Sequence, residues 1–333
     1  MLHPAVALTP SETASPVGGV PRSEVIADSV RRYGVFVALG VTVLCGIVAV
    51  PNFATLANLD AVLRQVAVLG IVSLGQTFVI LTAGIDLSVG MLMGLVTVLS
   101  NGIMAGDPAL VPVVAALALV IGVVVGLANG AGVVVFRVNP LIVTLAMMSV
   151  LQGVIFLYTD RTVGSAPAEF RELAYGSIGP LPTSIVLLAI LTAGSWVVLR
   201  HTPLGRYIYA VGSDSQSARR AGIGVGRVTT AAYAICGSLA AIAGLVLAAR
   251  LGSGYTGAGA GFELDSIVAV VLGGTALSGG RGGVLGTVAG VVLLALIANM
   301  LNLLGISPFT QRVVNGLIII AAIAIYTARR RES

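Results

Sequence analysis

The chain has 333 residues, 57% of them hydrophobic and only 9% charged, and its mean hydropathy is +1.05. A soluble core of this length could not hide so much apolar surface from water, so the composition defines a polytopic membrane protein. All 18 basic residues are arginine; the missing lysine excludes a conventional Walker-type ATPase, and two histidines, His3 and His201, exclude a His-rich metal site and argue against a Ser-His-Asp arrangement.

In chain order, residues 1–30 are rich in Pro, Ser, Gly and Ala without a sustained apolar run, which predicts a disordered tail. Apolar stretches long enough to cross a bilayer follow at 34–50, 61–83, 87–105, 110–136, 140–158, 181–199, 229–250, 264–278, 284–304 and 311–328, of which 264–278 is short. The 43 glycines suit closely packed transmembrane helices. The expected fold is therefore an all-α polytopic membrane protein of about ten transmembrane helices, some broken or short, with one permease domain over 31–328 and a basic tail at 329–333.

Arginine placement orients it. With the N-terminus in the cytoplasm, Arg22, Arg31, Arg32, Arg137, the arginines of 200–228, Arg281 and Arg329–Arg331 fall inside, leaving Arg64, Arg161, Arg171, Arg250 and Arg312 outside. That bias follows the positive-inside rule and puts both termini in the cytoplasm. The net charge of +5 belongs to helix ends and anionic headgroups rather than to nucleic acid. Cys45 and Cys236 lie inside spans and read as packing thiols.

Between the second and third spans stands LTAGIDLSVG, residues 81–90, with Asp86 and Ser88 between Gly84 and Gly90. An acid at the bilayer centre costs about 2.5–3.5 kcal/mol, and far less at an interface. Asp86 can cap the third span by accepting backbone N–H groups, or it can line an unwound stretch facing a water-filled path; the two roles are compatible. GTALSGG at 274–280 repeats the Gly, Leu, Ser and Gly of GIDLSVG, placing Gly274, Ser278 and Gly280 in a second break without the acid. The connection 201–229 sets Tyr207, Ile208 and Tyr209 beside arginines, either as a docking surface or as an interfacial helix resting on headgroups.

These blocks, with NPLIVTLAMMSVLQGV at 139–154, LGRYIYAVGSDSQSARRAGI at 204–223, LDSIVAVVLGGTALSGGRGGVLGTVAG at 264–290 and NMLNLLGISPF at 299–309, occur in order over about 35–328. They resemble the permease subunits of bacterial ABC sugar importers of the ribose/xylose/galactose type. Related permeases for branched-chain amino acids and nucleosides share the architecture without AGIDLSVG in this form. One departure is Asp214, where the family pattern leads one to expect Asn; either serves a turn.

The resemblance implies a pore of two permease chains, identical or different, in the inner membrane. It implies a cytoplasmic ABC ATPase carrying ATP and Mg, an extracytoplasmic sugar-binding protein, and no cofactor or catalytic residue in this chain. Gly205, Arg206, Tyr207, Arg219, Arg220, Gly222 and Ile223 are then expected to couple to the ATPase. Asp160, Arg161, Glu169, Arg171 and Glu172, with Glu263 and Asp265, are expected to dock the binding protein. Gln76, Asn129, Thr144, Gln152, Asn299, Asn302 and Asn315 could line the path through hydroxyl-binding amides and hydroxyls, or tie helices together. The rival expectation is an ion-coupled secondary transporter centred on Asp86; permeases for a sugar-like signal, a nucleoside or an amino acid are further alternatives.

Overall fold

The computed structural model describes residues 22–307 together with 310, 311, 313, 316 and 317, and of 22–33 the backbone only. The expected last span at 311–328 falls mostly outside these residues, as do Asn315, residues 1–21 and the tail 329–333.

The described chain is helical apart from loops and one two-residue hairpin. Its helices are α1 (Arg22–Ala49), α2 (Leu56–Leu81), α3 (Val89–Met104), α4 (Val111–Val135), α5 (Pro140–Tyr158), α6 (Ala168–Tyr175), α7 (Thr183–His201), α8 (Pro203–Ser213), α9 (Ser215–Arg220), α10 (Val225–Leu251), α11 (Phe262–Leu272) and α12 (Val284–Leu303). Strands β1 (Ser177–Ile178) and β2 (Leu181–Pro182) pair antiparallel. Among the described residues, six stretches are long and apolar enough to cross a membrane: Leu56–Leu81, Pro108–Val135, Pro140–Tyr158, Thr183–His201, Val225–Leu251 and Val284–Leu303. Gly34–Ala49 and Val89–Met104 are shorter apolar helices. The protein is thus an all-α membrane protein.

Two sequence expectations are corrected. Helix α1 begins at Arg22, inside the segment expected to be a disordered tail, because SEVIADSVRR carries no Pro or Gly to stop the apolar helix from extending backwards. The stretch 264–278 is not one helix; α11 ends after 11 residues, at Leu272, where Gly273 and Gly274 break it.

Helix starts follow local chemistry. Thr55 accepts the Asn58 N–H at 3.3 Å before α2, and Asn139, followed by Pro140, accepts the Leu141 N–H at 2.9 Å before α5. The most apolar windows of α2 and α10 are 83% and 72% buried, against 28%, 17% and 22% for α4, α5 and α7. α2, α3 and α10 therefore form the centre of the bundle, and α1, α4, α5 and α7 turn apolar faces outward, where lipid replaces the missing contacts. Gly122 and Gly126 of α4 lie against the α10 backbone at Tyr233 and Gly237, the close approach that small residues allow. One end of the bundle carries α8 and α9; the opposite end carries α6 and the hairpin.

Candidate functional site: two broken helices joined to a surface helix pair

Helix α2 stops at Leu81, and the chain runs as turn and irregular backbone until α3 begins at Val89. Ala83 adopts φ 63°, a left-handed conformation that costs a non-glycine residue on the order of 1 kcal/mol. Such backbone can persist in a membrane only where protein groups satisfy it, and here side chains from three helices do so. Thr144 of α5 and Tyr233 of α10 both donate to the Ile85 carbonyl at 3.3 Å. With its amide oriented to satisfy its neighbours, Gln76 of α2 donates to the Asp86 carbonyl and accepts the Asp86 N–H, each at 3.3 Å.

The Asp86 side chain is buried. Its Oδ1 accepts the Ser88 N–H at 2.9 Å and the Ser88 hydroxyl at 2.6 Å, and Asn129 of α4 donates to Oδ2 at 3.3 Å and to Ser88 Oγ at 2.8 Å. The acid therefore does not hold the first-turn amides of α3, as a capping residue would. α3 starts later than the sequence suggests, so the carboxylate folds back on Ser88 and ties the break to α4 instead. Three residues expected along a path, Gln76, Asn129 and Thr144, converge on this one stretch as its fasteners.

The other described path residues lie elsewhere. Asn299 forms a reciprocal amide pair with Asn58 at 2.7 and 3.0 Å, joining α12 to α2. Gln152 is exposed on α5, and exposed Asn302 accepts from Gln311 at 2.8 Å. These positions do not form one continuous lining.

The second break, 273–283, is built differently. Gly274, Gly279, Gly280 and Gly282 have positive φ, Thr275 Oγ1 accepts the Gly283 N–H at 3.4 Å, and Ser278 is exposed. The two similar stretches touch: the Gly280 N–H donates to the Leu81 carbonyl at 3.0 Å, where α2 ends. Helix α8 closes the junction. Gly212 sits so close that a methyl group there would collide with the Leu81 carbonyl and crowd the Gly280 N–H. One turn back, the Tyr209 hydroxyl donates to the Gly282 carbonyl at 2.9 Å. Burial pushes the Tyr209 phenol up in pKa, with Arg200 working against it, so the hydroxyl stays a neutral donor.

On its outer side this helix pair presents Arg206, Tyr207, Arg219 and Arg220, all exposed, while Gly205 in the first turn of α8 is buried against the last turn of α7. Gly222 (φ 82°) turns the chain out of α9, and Ile223 donates back to the Ala218 carbonyl at 3.0 Å. Asp214 caps α9, accepting the Gln216 and Ser217 amides at 2.8 and 3.2 Å and the Ser217 hydroxyl at 2.6 Å. Those hydrogen bonds, from Ser217 first, hold its carboxyl below the usual range. A cap needs only one oxygen acceptor, which explains how Asp serves where Asn was expected.

At the opposite end, Asp160 and Arg161 form an exposed pair at 3.5 Å, and Glu169, Arg171 and Glu172 project from α6. Tyr175 anchors this cap: Arg64 and Arg171 lie 5.7 and 5.4 Å from its ring centroid, and its hydroxyl donates to the Arg250 carbonyl at 2.9 Å. Glu263 does not join these charges, contrary to expectation. It is buried at the start of α11 against Gly90 of α3, because the loop after α10 dives inward before the helix begins. Asp265 is partly buried on the same helix. Gly212 and Tyr233 were not singled out as site residues from sequence, and Tyr209 was read only as part of a docking or interfacial surface; aromatic and glycine positions at helix spacing carry no signal of which backbone they meet.

Two helices broken inside an apolar bundle thus meet at an exposed helix pair. Residues 58–323 match the family model described as "Branched-chain amino acid transport system / permease component", and the chain belongs to this family. Among its relatives, the ribose import permease protein RbsC of Escherichia coli (strain K12) is 43% identical over 282 residues, 83% of this chain and 87% of that protein. RbsC of Bacillus subtilis (strain 168) is 39% identical over 304 residues, 89% and 92% of the two chains. The fructose import permease protein FrcC of Rhizobium meliloti is 36% identical over 296 residues, 84% and 80%. No solved structure matches the chain. The protein is a multi-pass permease of the inner membrane.

Proposed function

We propose that this chain is the transmembrane subunit of an ABC importer that carries a sugar into the cytoplasm, as the printed names of its ribose and fructose relatives suggest. The α8–α9 end is cytoplasmic in this reading: Arg137, Arg200, Arg206, Arg219, Arg220 and Arg227 gather there, in accord with the positive-inside rule. About ten spans, with both termini inside, complete the topology over the permease domain 31–328. The chain pairs with a second permease copy or homologue, rests in membrane lipid, and needs no catalytic group of its own. ATP and Mg act on a separate cytoplasmic ATPase.

The observation that carries the mechanism is the three-way junction of Leu81, Gly212 and Gly280. An ATPase gripping Arg206, Tyr207, Arg219 and Arg220 moves α8, and α8 meets both breaks with no loop in between. A sugar-binding protein docks at the α6 end, on Asp160, Arg161, Glu169, Arg171 and Glu172. ATP and the loaded binding protein drive transport only to the extent that each prefers a different state of this junction.

Uptake of labelled pentoses, hexoses and polyols into vesicles, with the partner ATPase and binding protein reconstituted, tests the reading. The expected result is uptake that needs ATP and both partners and falls at least tenfold in Arg206→Glu. Uptake driven by an ion gradient without ATP would overturn it and return Asp86 to the centre of a secondary transporter.

A further inference from the structure

After α10 ends at Leu251 the chain does not cross the surface of the bundle but descends into it. At the top, Gly254 and Val163 exchange N–H···O bonds of 2.8 and 2.9 Å, and the Ala166 N–H donates to the Gly252 carbonyl at 2.9 Å. From Tyr255 to Phe262 only short turns follow, with Ala258, Ala260 and Phe262 each donating three residues back. Gly254 packs on Val98, whereas Gly259 packs on the Gly90 carbonyl and the Gly94 N–H, so the segment moves down α3 by roughly two turns, about 10 Å.

The depth can be read from α5, which spans the membrane alongside. Ile85 is hydrogen-bonded to Thr144 near one end of α5, and Gly94 faces Ile155 near the other. Gly90 lies between these levels, so the group packed against it is near mid-membrane. That group is the Glu263 carboxylate; a methyl at Gly90 would collide with it. Glu263 is 9% exposed, its oxygens accept the Gly261 N–H at 3.1 Å, and no described cation pairs with it.

Two costs coincide here. A carboxylate at the bilayer centre is expensive and is retained where it faces partners or water, and non-helical backbone at that depth is tolerated only where it is buried in protein or lines a water-filled cavity. Tyr255 and Leu264, flanking the segment, are 55% and 49% exposed, so one side of it is open. Irregular backbone open at that depth meets water or another protein chain.

We propose that Glu263 is a hydroxyl-binding residue of the sugar path, set at mid-membrane by the irregular descent 252–261. The proposal rests on the permease reading above. A carboxylate accepts two neighbouring O–H groups at once, which suits a polyhydroxylated ligand, and the surrounding glycines add few contacts that would hold the sugar too long. Glu263 thereby contributes to which sugars pass, beyond the selection made by a binding protein.

The test compares wild type, Glu263→Gln and Glu263→Asp in liposomes with the partner ATPase and binding protein, measuring uptake of D-ribose, D-fructose, L-arabinose and D-galactose alongside melting temperature. Glu263→Gln is expected to melt like wild type, to lose at least tenfold in uptake of the best sugar, and to change the ratios among the four; Glu263→Asp recovers part of both. Wild-type rates and ratios in Glu263→Gln would overturn the proposal. So would an equal loss for all four sugars with a lowered melting temperature, which marks a purely structural contact at the head of α11. If wild type itself shows no ATP-dependent sugar uptake, the permease reading fails and takes this proposal with it.

Discussion

The breaks after α2 and after α11 share Gly, Leu, Ser and Gly in the same order, yet they are held by different physics. The first is pinned by side chains: Gln76, Asn129, Thr144 and Tyr233 reach it from α2, α4, α5 and α10, and Asp86 and Ser88 close the network within a buried core. The second is held by its own turns, by the Leu81 carbonyl, and by Tyr209 from α8. A network of buried polar groups is rigid because each lost bond leaves an unsatisfied partner, whereas glycine turns resting on a surface helix follow that helix. The same local pattern therefore makes an anchor in one place and a follower in the other.

This contrast can be broken most sharply at Asp86. Asp86→Ala leaves the Ser88 N–H and hydroxyl without their acceptor in a dry interior and Asn129 with Ser88 Oγ alone, and should cost about 3 kcal/mol, the upper range for buried unsatisfied groups. It should appear as a clearly lowered melting temperature in detergent; an unchanged one would show that the first break is no anchor. Next comes Gly212→Ala. Its methyl must push α8 away from Leu81, an overpacking cost of about 1–3 kcal/mol, and should reduce sugar moved per ATP hydrolysed at least tenfold in the reconstituted complex while the ATPase still binds. A normal ratio of transport to hydrolysis would remove the junction from the mechanism. Smallest is Tyr209→Phe, which deletes one hydrogen bond worth about 1 kcal/mol. A several-fold lower transport-to-hydrolysis ratio with unchanged melting is expected, and a change in melting alone would mean that the contact only stabilises α8.

Much of this was legible in advance. Asp86 stood out because an acid among apolar residues carries its own cost, and the exposed arginines of 201–229 stood out by charge. The amides and hydroxyl of Gln76, Asn129 and Thr144 were recognisable as polar residues inside spans, but nothing in their spacing said that they meet at Ile85 and Asp86. Glu263 was misplaced for a physical reason: a glycine-rich stretch after a span reads as a surface loop, and only packing against Gly90 and Gly94 shows it inside. The early start of α1 and the short α11 differ from expectation because hydropathy marks where a chain is apolar, not where its backbone stays helical.

Hydropathy and arginine placement by themselves determined a polytopic membrane protein, most of its apolar helices and an arginine-rich connection at 201–229, since burial of apolar surface and charge exclusion from lipid are local, additive costs. Only the tertiary structure decided that the two breaks touch, that α8 meets both, and that Glu263 packs against Gly90 inside the bundle. Each depends on contacts between residues far apart in the chain, which no sum over neighbouring residues contains.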